Sequence, residues 1–436
     1  MTLTENLRKE IFWIQDKLNG GIIQNHLKDI RMILNEQNDL ILKNELQNRL
    51  HYILNYAKEN TEYYKHLNGL NNIEDFPVMD KNGIRNNLDS FLSKQYNDKQ
   101  RIPVVTSGST GTPFKTFQSR NKRKRNSADT IYFASLAGYE LGNKLYYFKI
   151  WSTYNQKSNL KQKIQNIIPI DVLNLKANAK QVIKELNKNT SSISFLGYVS
   201  AFETICKELD NNNALSPKLK INSILTMSEG LNTYTKQAGE KHFGCPVLSR
   251  YSNIENGIIA QQTLEDRENF LVNTASYYVE VIDMESDTVL EYGKLGRIIV
   301  TDYFNEVMPL IRYDTGDLGV LDMRNISGRN RLVLTIIEGR KLDQIFNTKG
   351  ELISSYIVYK NMWAYTEIEQ YQFVQKEAKE YVFKISMNQP FKRETQLINE
   401  FKYYLGDDAD FKVEYVSEIP LLNSGKRKKV VNEMHN

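Results

Sequence analysis

Cysteine is nearly absent from the chain. The 436 residues hold two, Cys206 and Cys245, far apart and without a Cys-x-x-Cys neighbour. That excludes a zinc ligand set and a disulfide framework, and leaves two buried, inert thiols in a reducing cytoplasm as the expectation. Long apolar runs are missing too: none approaches the roughly 18 residues that a membrane span needs, so no membrane span is expected. The first ten residues, Met1 to Glu10, are charged and lack a signal-peptide core, which points to a cytoplasmic protein. A surplus of one charge is also lacking. The net charge of +5 suits an anionic small molecule as well as a nucleic acid and decides between neither. Apolar residues at 41% and charged residues at 25% exclude a disordered chain. A length of 436 residues exceeds one core of ordinary size and implies two domains or more.

Residues 1–76 contain no proline. Apolar positions recur there at helical spacing, at Leu7, Ile11, Ile14 and Leu18, then Ile30, Ile33 and Leu34, then Leu46, Leu50 and Leu54. This predicts a helical opening whose apolar faces cover their own core. Asp80 is placed to cap a helix from Lys81. The apolar run Ile102–Val105 then breaks into Thr106-Ser107-Gly108-Ser109-Thr110-Gly111-Thr112-Pro113-Phe114-Lys115. Glycines let backbone approach an anion, hydroxyls and N–H groups supply neutral donors, and Lys115 supplies charge, so the loop suits a polyphosphate. It is not a Walker A loop, because no Gly-Lys-Ser/Thr closes it. The basic run Arg120 to Arg125 has no aromatic interleaving and no zinc or helix-turn-helix pattern nearby; it reads as a solvated helical face, and no nucleic-acid partner is expected. From Ile193 to Ile259 strands and helices alternate, the signature of α/β layers, with Ser200 as a helix cap. Tyr381–Ile385 and Phe411–Val416 alternate as strands around a helix from Glu394 to Leu405.

The loop at 106–115 resembles the phosphate-binding loop of the adenylate-forming (ANL) superfamily. Four further segments resemble that superfamily's motifs in order. They are Tyr251-Ser252-Asn253-Ile254-Glu255, Arg312-Tyr313-Asp314-Thr315-Gly316-Asp317-Leu318, the hinge-like Gly339-Arg340-Lys341-Leu342-Asp343-Gln344-Ile345, and Pro420 to Lys426. Pro77-Val78-Met79-Asp80-Lys81 is similar to the opening of phenylacetate-CoA ligase and CapK-type members, and Phe346–Ser354 to CapK-type proteins. The resemblance implies an α/β fold. A large multilayer N-terminal adenylation domain spans 1–339, with a mainly helical extension over 1–95. A hinge covers 340–345, and a small α+β C-terminal lid covers 346–436.

It further implies ATP-dependent activation of a carboxylic acid as an acyl-adenylate with Mg²⁺, then acyl transfer to CoA or another acceptor, with capsule or surface-polysaccharide biosynthesis as the setting that the CapK-type resemblance suggests. AMP transfer to a phenolic hydroxyl, as in coenzyme F390 synthetases, and a degenerate nucleotide-binding protein are the alternatives. By resemblance, Thr106, Ser107, Gly108, Ser109, Thr110, Gly111, Thr112 and Lys115 hold the ATP phosphates. Tyr251 stacks on adenine, Glu255 coordinates Mg²⁺, Asp317 receives the ribose hydroxyls with Arg312 in the same motif, and Arg340 lies near ribose and phosphates. Lys426 bridges the carboxylate and the α-phosphate. Candidates for the acid pocket are Tyr198, Met227, Ser228, Glu229 and Asn253, and for Glu229 an exposed loop carboxylate is the other reading. Three positions depart from the pattern. Ile254 replaces a threonine, at a loss of about 1.5–3 kcal/mol for one charge-assisted hydrogen bond. Ser252 replaces a glycine, and Leu342 takes the hinge aspartate's place with Asp343 one position late. The altered hinge leaves CoA open as the acceptor. The region 261–272 lacks Cys and His, so no zinc is implied. The acid's identity and the oligomeric state stay open.

Overall fold

The computed structural model describes residues 2–106, 114–151, 158–189, 191–212, 219–338, 345–353, 356–362, 364–365, 367–387, 389–420 and 428–434. The opening is helical, as expected: α1 (Leu3–Leu18), α2 (Ile22–Asn35), α3 (Asp39–Asn60) and a short α4 (Lys81–Asn86). Thr2 and Glu5 form a capping box on α1, Asn38 caps α3, and Asp80 caps α4. Helix α2 starts at Gly21 in the left-handed region, where no side chain can cap it. Asp16 of α1 fills that role instead, its carboxylate accepting from Ile23 N (3.2 Å) and Gln24 N (2.9 Å).

That arrangement overturns one expectation. Leu3, Leu7, Ile11, Ile14 and Leu18 do not cover a core; they are exposed, Leu7 at 59% and Leu18 at 82%. Helix α1 docks through its other side, through buried Glu5 and Asp16 and through Phe12 and Trp13. In α2 the expectation holds, with Ile30, Ile33 and Leu34 packed against Tyr132 and Phe133 of α5 (Arg120–Ser135).

The basic run at the start of α5 is likewise not the solvated face expected of it. Lys122 and Arg125 are wholly buried. Lys122 Nζ lies 2.6 Å from Asp302, and Arg125 pairs with Asp29 and donates to Ser276 Oγ (2.8 Å) and the Ala275 carbonyl (2.8 Å). The run alternates inward and outward cations because a helix turns 100° per residue, and its partners come from 96 to 180 residues away.

A hairpin, β1 (Ile102–Thr106) and β2 (Phe114–Gln118), brackets the loop 107–113 in register Ile102↔Gln118 to Thr106↔Phe114. The main sheet begins with β3 (Lys144–Lys149), β4 (Ile167–Asp171), β5 (Ile193–Tyr198), β6 (Ile221–Met227) and β7 (Val247–Asn253). The connecting helices are α6 (Asn159–Gln165), α7 (Leu175–Leu186), α8 (Val199–Asn211) and α9 (Thr233–Phe243). These five strands are parallel in the order β4-β3-β5-β6-β7. Phe148, Phe195, Ile224 and Val247 face Ile183, Phe202, Ile205 and Phe243 on one side. Leu225 and Leu248 meet Ala134 and Ala137 beside α5 on the other. Both faces are covered, so the strands are apolar nearly throughout. The order of connection reverses between β3 and β5, and at such a point an open sheet leaves a crevice outside its carboxyl ends.

The same sheet continues antiparallel through β8 (Gly257–Gln261), β9 (Phe270–Val272), β10 (Tyr277–Ile282), β11 (Leu295–Asp302), β12 (Tyr313–Ile326) and β13 (Arg329–Glu338), making eleven strands among the described residues. A second unit follows, with β14 (Ile345–Phe346), β15 (Leu352–Ile353), α10 (Tyr356–Met362), β16 (Gln370–Gln375), β17 (Glu380–Ser386), α11 (Glu394–Leu405), β18 (Asp410–Tyr415) and β19 (Val430–Asn432). Its four-stranded sheet runs β18-β17-β16-β19 around Phe373, Phe383 and Phe401. The mixed α/β architecture, a large sheet followed by a smaller one, is the one expected. Among the described residues no helix is long and apolar enough to cross a membrane. Cys206 and Cys245 are both buried, and burial pushes their thiols up to about 12 and about 11.

Candidate active site

Strand β7 and the turn after it supply Tyr251 and Glu255, and β12 supplies Tyr313, Thr315 and Asp317. Two contacts join these elements. Tyr251 OH donates to Asp317 Oδ2 at 2.8 Å and lies 3.2 Å from Thr315 Oγ1. Tyr313 OH donates to Glu255 Oε1 at 3.1 Å. Burial, then the Asp317 charge, raises the Tyr251 phenol well above its ordinary value, so it stays a donor at every physiological pH. The turn itself is held from below: Asn256 N donates to Asn253 Oδ1 (2.7 Å), and Gln118 Nε2 donates to the Glu255 carbonyl (2.8 Å). Gln118 pairs with Ile102 at the end of the hairpin away from 107–113, so the Glu255 turn packs on that end of β2. The described residues thus bring Tyr251, Asp317 and Glu255 together.

Lys81 joins them, and sequence reasoning assigned it no role at the site. Met79 pairs with β12, accepting from Asp314 N (2.9 Å) and donating to the Arg312 carbonyl (3.0 Å). Two residues on, Lys81 Nζ reaches Glu255 Oε1 at 2.6 Å and sits 5.5 Å from the centre of the Phe114 ring. Glu255 is almost wholly buried and Lys81 partly so. The available signal was the Pro-Val-Met-Asp-Lys segment, which reads as a helix start until β12 is placed beside it. Among the described residues no group of three or more acidic, His or Cys side chains forms a metal cage. A single buried carboxylate beside a phosphate-suited loop fits Mg²⁺, which is commonly held by one or two carboxylates and completes its shell with phosphates and water.

Arg312 turns elsewhere. Its guanidinium is buried against Glu280 (3.4 Å) and donates to the Phe76 and Asp287 carbonyls, so the structure does not bring it to Tyr251 and Asp317. Lys115 lies on the exposed side of β2, its Nζ 4.8 Å from the centre of the Phe117 ring. Thr106 ends β1. Ser107, Gly108, Ser109, Thr110, Gly111, Thr112, Arg340, Leu342, Asp343 and Lys426 lie outside the described residues.

Of the acid-pocket candidates, Tyr198 and Met227 pair across the carboxyl ends of β5 and β6, and Ser228 follows at φ 69. Asn253 is occupied by the turn. Ser200 is not the cap of α8, because the cap position is Tyr198 and offers no side-chain bond. Glu229 substitutes from the next loop: Ser200 N and Oγ both donate to its carboxylate, at 2.7 and 3.1 Å. A negative charge at a helix N-terminus is favourable, which gives Glu229 an architectural task.

The second unit meets the first at the same loops. Lys429, just before β19, lies 5.0 Å from the centre of the Tyr371 ring and faces Glu203 of α8 and Glu229. Burial opposes its charge, but Tyr371, Glu203 and Glu229 raise its pKa on balance. Burial also opposes the Glu203 charge, and Lys429, Lys207 and Asn232 together bring its pKa down. Lys176 Nζ–Glu369 at 2.7 Å adds a rim contact. Depressed carboxylates contribute above their unfolded pKa and lose that contribution as pH falls. Small-angle scattering should therefore show the units separating as pH drops below about 4.5, the ordinary glutamate range. Lys429→Met should shift the closed-to-open ratio about 2- to 5-fold toward open at neutral pH, the scale of a partly exposed pair. Identical scattering for Lys429→Met and the parent protein would sink this.

Residues 345–433 match the family of CapK C-terminal domains. The chain is 27% identical over 432 residues to protein CapK of Staphylococcus aureus, covering 92% of this chain and 91% of that one. It is 22% identical over 415 residues to a phenylacetate-coenzyme A ligase of Pseudomonas putida, covering 91% and 87%. Among solved structures, 2-hydroxyisobutyryl-CoA ligase in its postadenylation state superposes with a TM-score of 0.72 at 16% identity, over 91% of this chain and 90% of that one. The same ligase in its thioesterification state gives 0.58 at equal identity and coverage of 91% and 91%. Motifs, fold and likenesses agree: over most of its length the chain is similar to CapK and to phenylacetate-coenzyme A ligase, and it has the fold of an acyl-CoA ligase of the adenylate-forming kind.

Proposed function

We propose that the protein activates a carboxylic acid with ATP, releasing pyrophosphate and forming an acyl-adenylate, and then passes the acyl group to CoA or another nucleophile. The observation that carries this is the joint placement of Tyr251 on Asp317 and of Glu255 on Lys81 and Tyr313, with Lys81 also over the ring of Phe114, the first described residue after 107–113. In the step, a carboxylate oxygen attacks the α-phosphorus and the bond from that phosphorus to the oxygen bridging the β-phosphate breaks, so pyrophosphate leaves with the electron pair. The groups of 106–112 and Lys115 receive its charge. Asp317 holds the ribose hydroxyls, and Tyr251, fixed by Asp317, lies along the adenine. Lys426 bridges the carboxylate and the α-phosphate, with Arg340 beside the ribose. Glu255 is the ligand for Mg²⁺, which when bound neutralises phosphate charge. Fixed donors aimed where charge develops supply most of the acceleration in such transfers.

The likeness to CapK favours an acceptor in surface-polysaccharide assembly, and ATP dependence favours a cytoplasmic location. ATP-dependent pyrophosphate release with Mg²⁺ tests the reading, across aromatic, short-chain and amino acids with and without CoA. Acid-dependent release is expected, and thioester formation on adding CoA identifies that acceptor. Protein that binds ATP but releases no pyrophosphate with any acid would overturn the proposal.

A further inference from the structure

Arg250 sits in β7 immediately before Tyr251 and is only 8% exposed. Its Nε donates to Gln261 Oε1 at 2.8 Å, and the amide of Gln261 donates in turn to the Phe133 carbonyl at 2.6 Å, so a neutral arm fixes the guanidinium. No carboxylate pairs with it among the described residues. Three other buried cations face carboxylates, Lys122 with Asp302, Arg125 with Asp29 and Asp129, and Arg312 with Glu280, while Lys58 spends its donors on the Leu70 carbonyl and Asn71 Oδ1. Of the stretches outside the described residues, 107–113, 152–157, 213–218 and 421–427 contain no Asp or Glu, and 339–344 contains one, Asp343. Burial presses the Arg250 pKa down to about 10, with the Tyr147 phenol the titratable group beside it. At neutral pH the charge remains, in a place where an unpaired charge is costly.

The position is at the open end of the parallel strands. Arg250 pairs with Met227, and Met227 with Tyr198, so from the middle of β7 it stands in the row that crosses the carboxyl ends of β6 and β5. Tyr147 of β3 lies beside it, Trp151 Nε1 donates to the Tyr147 carbonyl (3.2 Å), and their rings meet edge to face with 5.4 Å between centres. Lys149 Nζ stands over both rings, at 5.0 Å and 4.3 Å. Two cations and two aromatic walls therefore gather where an open sheet takes its ligand.

We infer that the acid activated by this protein carries a second carboxylate, which Arg250 binds in the crevice outside β3, β5, β6 and β7, with Tyr147 and Trp151 against the body of the acid. The inference rests on the adenylation reading above. A planar guanidinium held by one arm keeps its remaining donors for a carboxylate, which it can take in two parallel hydrogen bonds. The counter-charge that the described residues do not supply then arrives with the substrate.

The test compares the full chain with Arg250→Met and Arg250→Lys on chain-matched pairs: succinate with butyrate, glutarate with valerate, adipate with hexanoate, phthalate with benzoate. At least one diacid should drive pyrophosphate release with kcat/KM roughly 100-fold above its matched monoacid, the scale on which a buried polar group rejects a ligand that lacks its partner. Arg250→Met should lower the diacid rate at least about tenfold more than the monoacid rate, chiefly through KM. Arg250→Lys, which keeps the charge and loses the fork, should fall between and control for a folding defect in the methionine variant. Preference for monoacids in the parent protein overturns the inference, as does equal loss for both classes, which would assign Arg250 to the reacting carboxylate or to the fold. If no acid drives pyrophosphate release, equilibrium dialysis with the diacids separates the two readings. Diacid binding lost in Arg250→Met, with the ATP-induced thermal shift intact, supports the diacid site while adenylation fails; diacid binding unchanged by the substitution, or absent from the parent protein, overturns the site as well.

Discussion

Replacing Glu255 by glutamine lowers the rate of pyrophosphate release by about 10²- to 10³-fold, the usual loss when one preorganised charge-stabilising group is removed from a phosphoryl or acyl site. The physical case starts from the pair with Lys81. Glu255 Oε1 accepts from Tyr313 and lies 2.6 Å from Lys81 Nζ, and the side chain is nearly sealed from water. An amide keeps the shape and loses the charge. Lys81 then has no counter-ion, and a hard cation loses the anionic oxygen it prefers. Two readouts separate these effects. If Glu255 holds Mg²⁺, the Mg²⁺ concentration giving half-maximal rate rises in the variant; if it only positions Lys81, the half-point stays and the maximal rate falls. Tyr313→Phe removes one neutral hydrogen bond to the same oxygen and should cost only about threefold to tenfold. Activity of Glu255→Gln within threefold of the parent at saturating Mg²⁺, with unchanged unfolding midpoint, would exclude the carboxylate from the chemistry.

The sequence made some of this site legible and hid the rest for a physical reason. Tyr251, Glu255 and Asp317 stand in short motifs whose local order survives in one dimension, and the fold brings them together without distorting them. The helical opening, the alternation of β3 to β7 with helices, and the β17-α11-β18 unit follow from periodicity. Lys81, Arg250 and Lys429 did not stand out, because each acquires its meaning from a partner far along the chain: Glu255 for the first, the absence of a carboxylate for the second, and Glu203 for the third. Arg312 shows the converse. It lies inside a matching motif, yet a left-handed backbone at φ 46 swings its side chain to Glu280. Helix α1 misled by composition alone, since its apolar stripe is real and its docking side is polar.

The same long-range pairing sets the largest stability effect. Lys122→Met should destabilise the larger unit by about 3–5 kcal/mol, seen as a lower urea midpoint at constant slope, because it leaves Asp302 buried without its counter-charge. Both side chains are fully buried, 2.6 Å apart. Lys122 Nζ also donates to Tyr277 OH at 3.1 Å, and Tyr277 OH donates to the Asn256 carbonyl at 2.6 Å, so the network ends one residue from Glu255. Burial raises the Asp302 pKa, with Lys122 and the Phe304 N–H opposing, and removing the lysine takes away the stronger opponent. A carboxyl whose folded pKa exceeds its unfolded value binds more protons in the native state, so stability falls as pH rises through that interval. The deficit of Lys122→Met should therefore shrink as the pH is lowered and Asp302 takes up a proton, and it should be largest at high pH. Replacing both partners, Lys122→Met with Asp302→Leu, should recover more than half of the loss, since apolar packing of like volume costs no desolvation. Pyrophosphate release should fall with Lys122→Met even below its unfolding midpoint, through the Asn256 and Glu255 turn. A single variant as stable as the parent, or a double variant less stable than either single one, would show that the pair is not what holds α5 against β11.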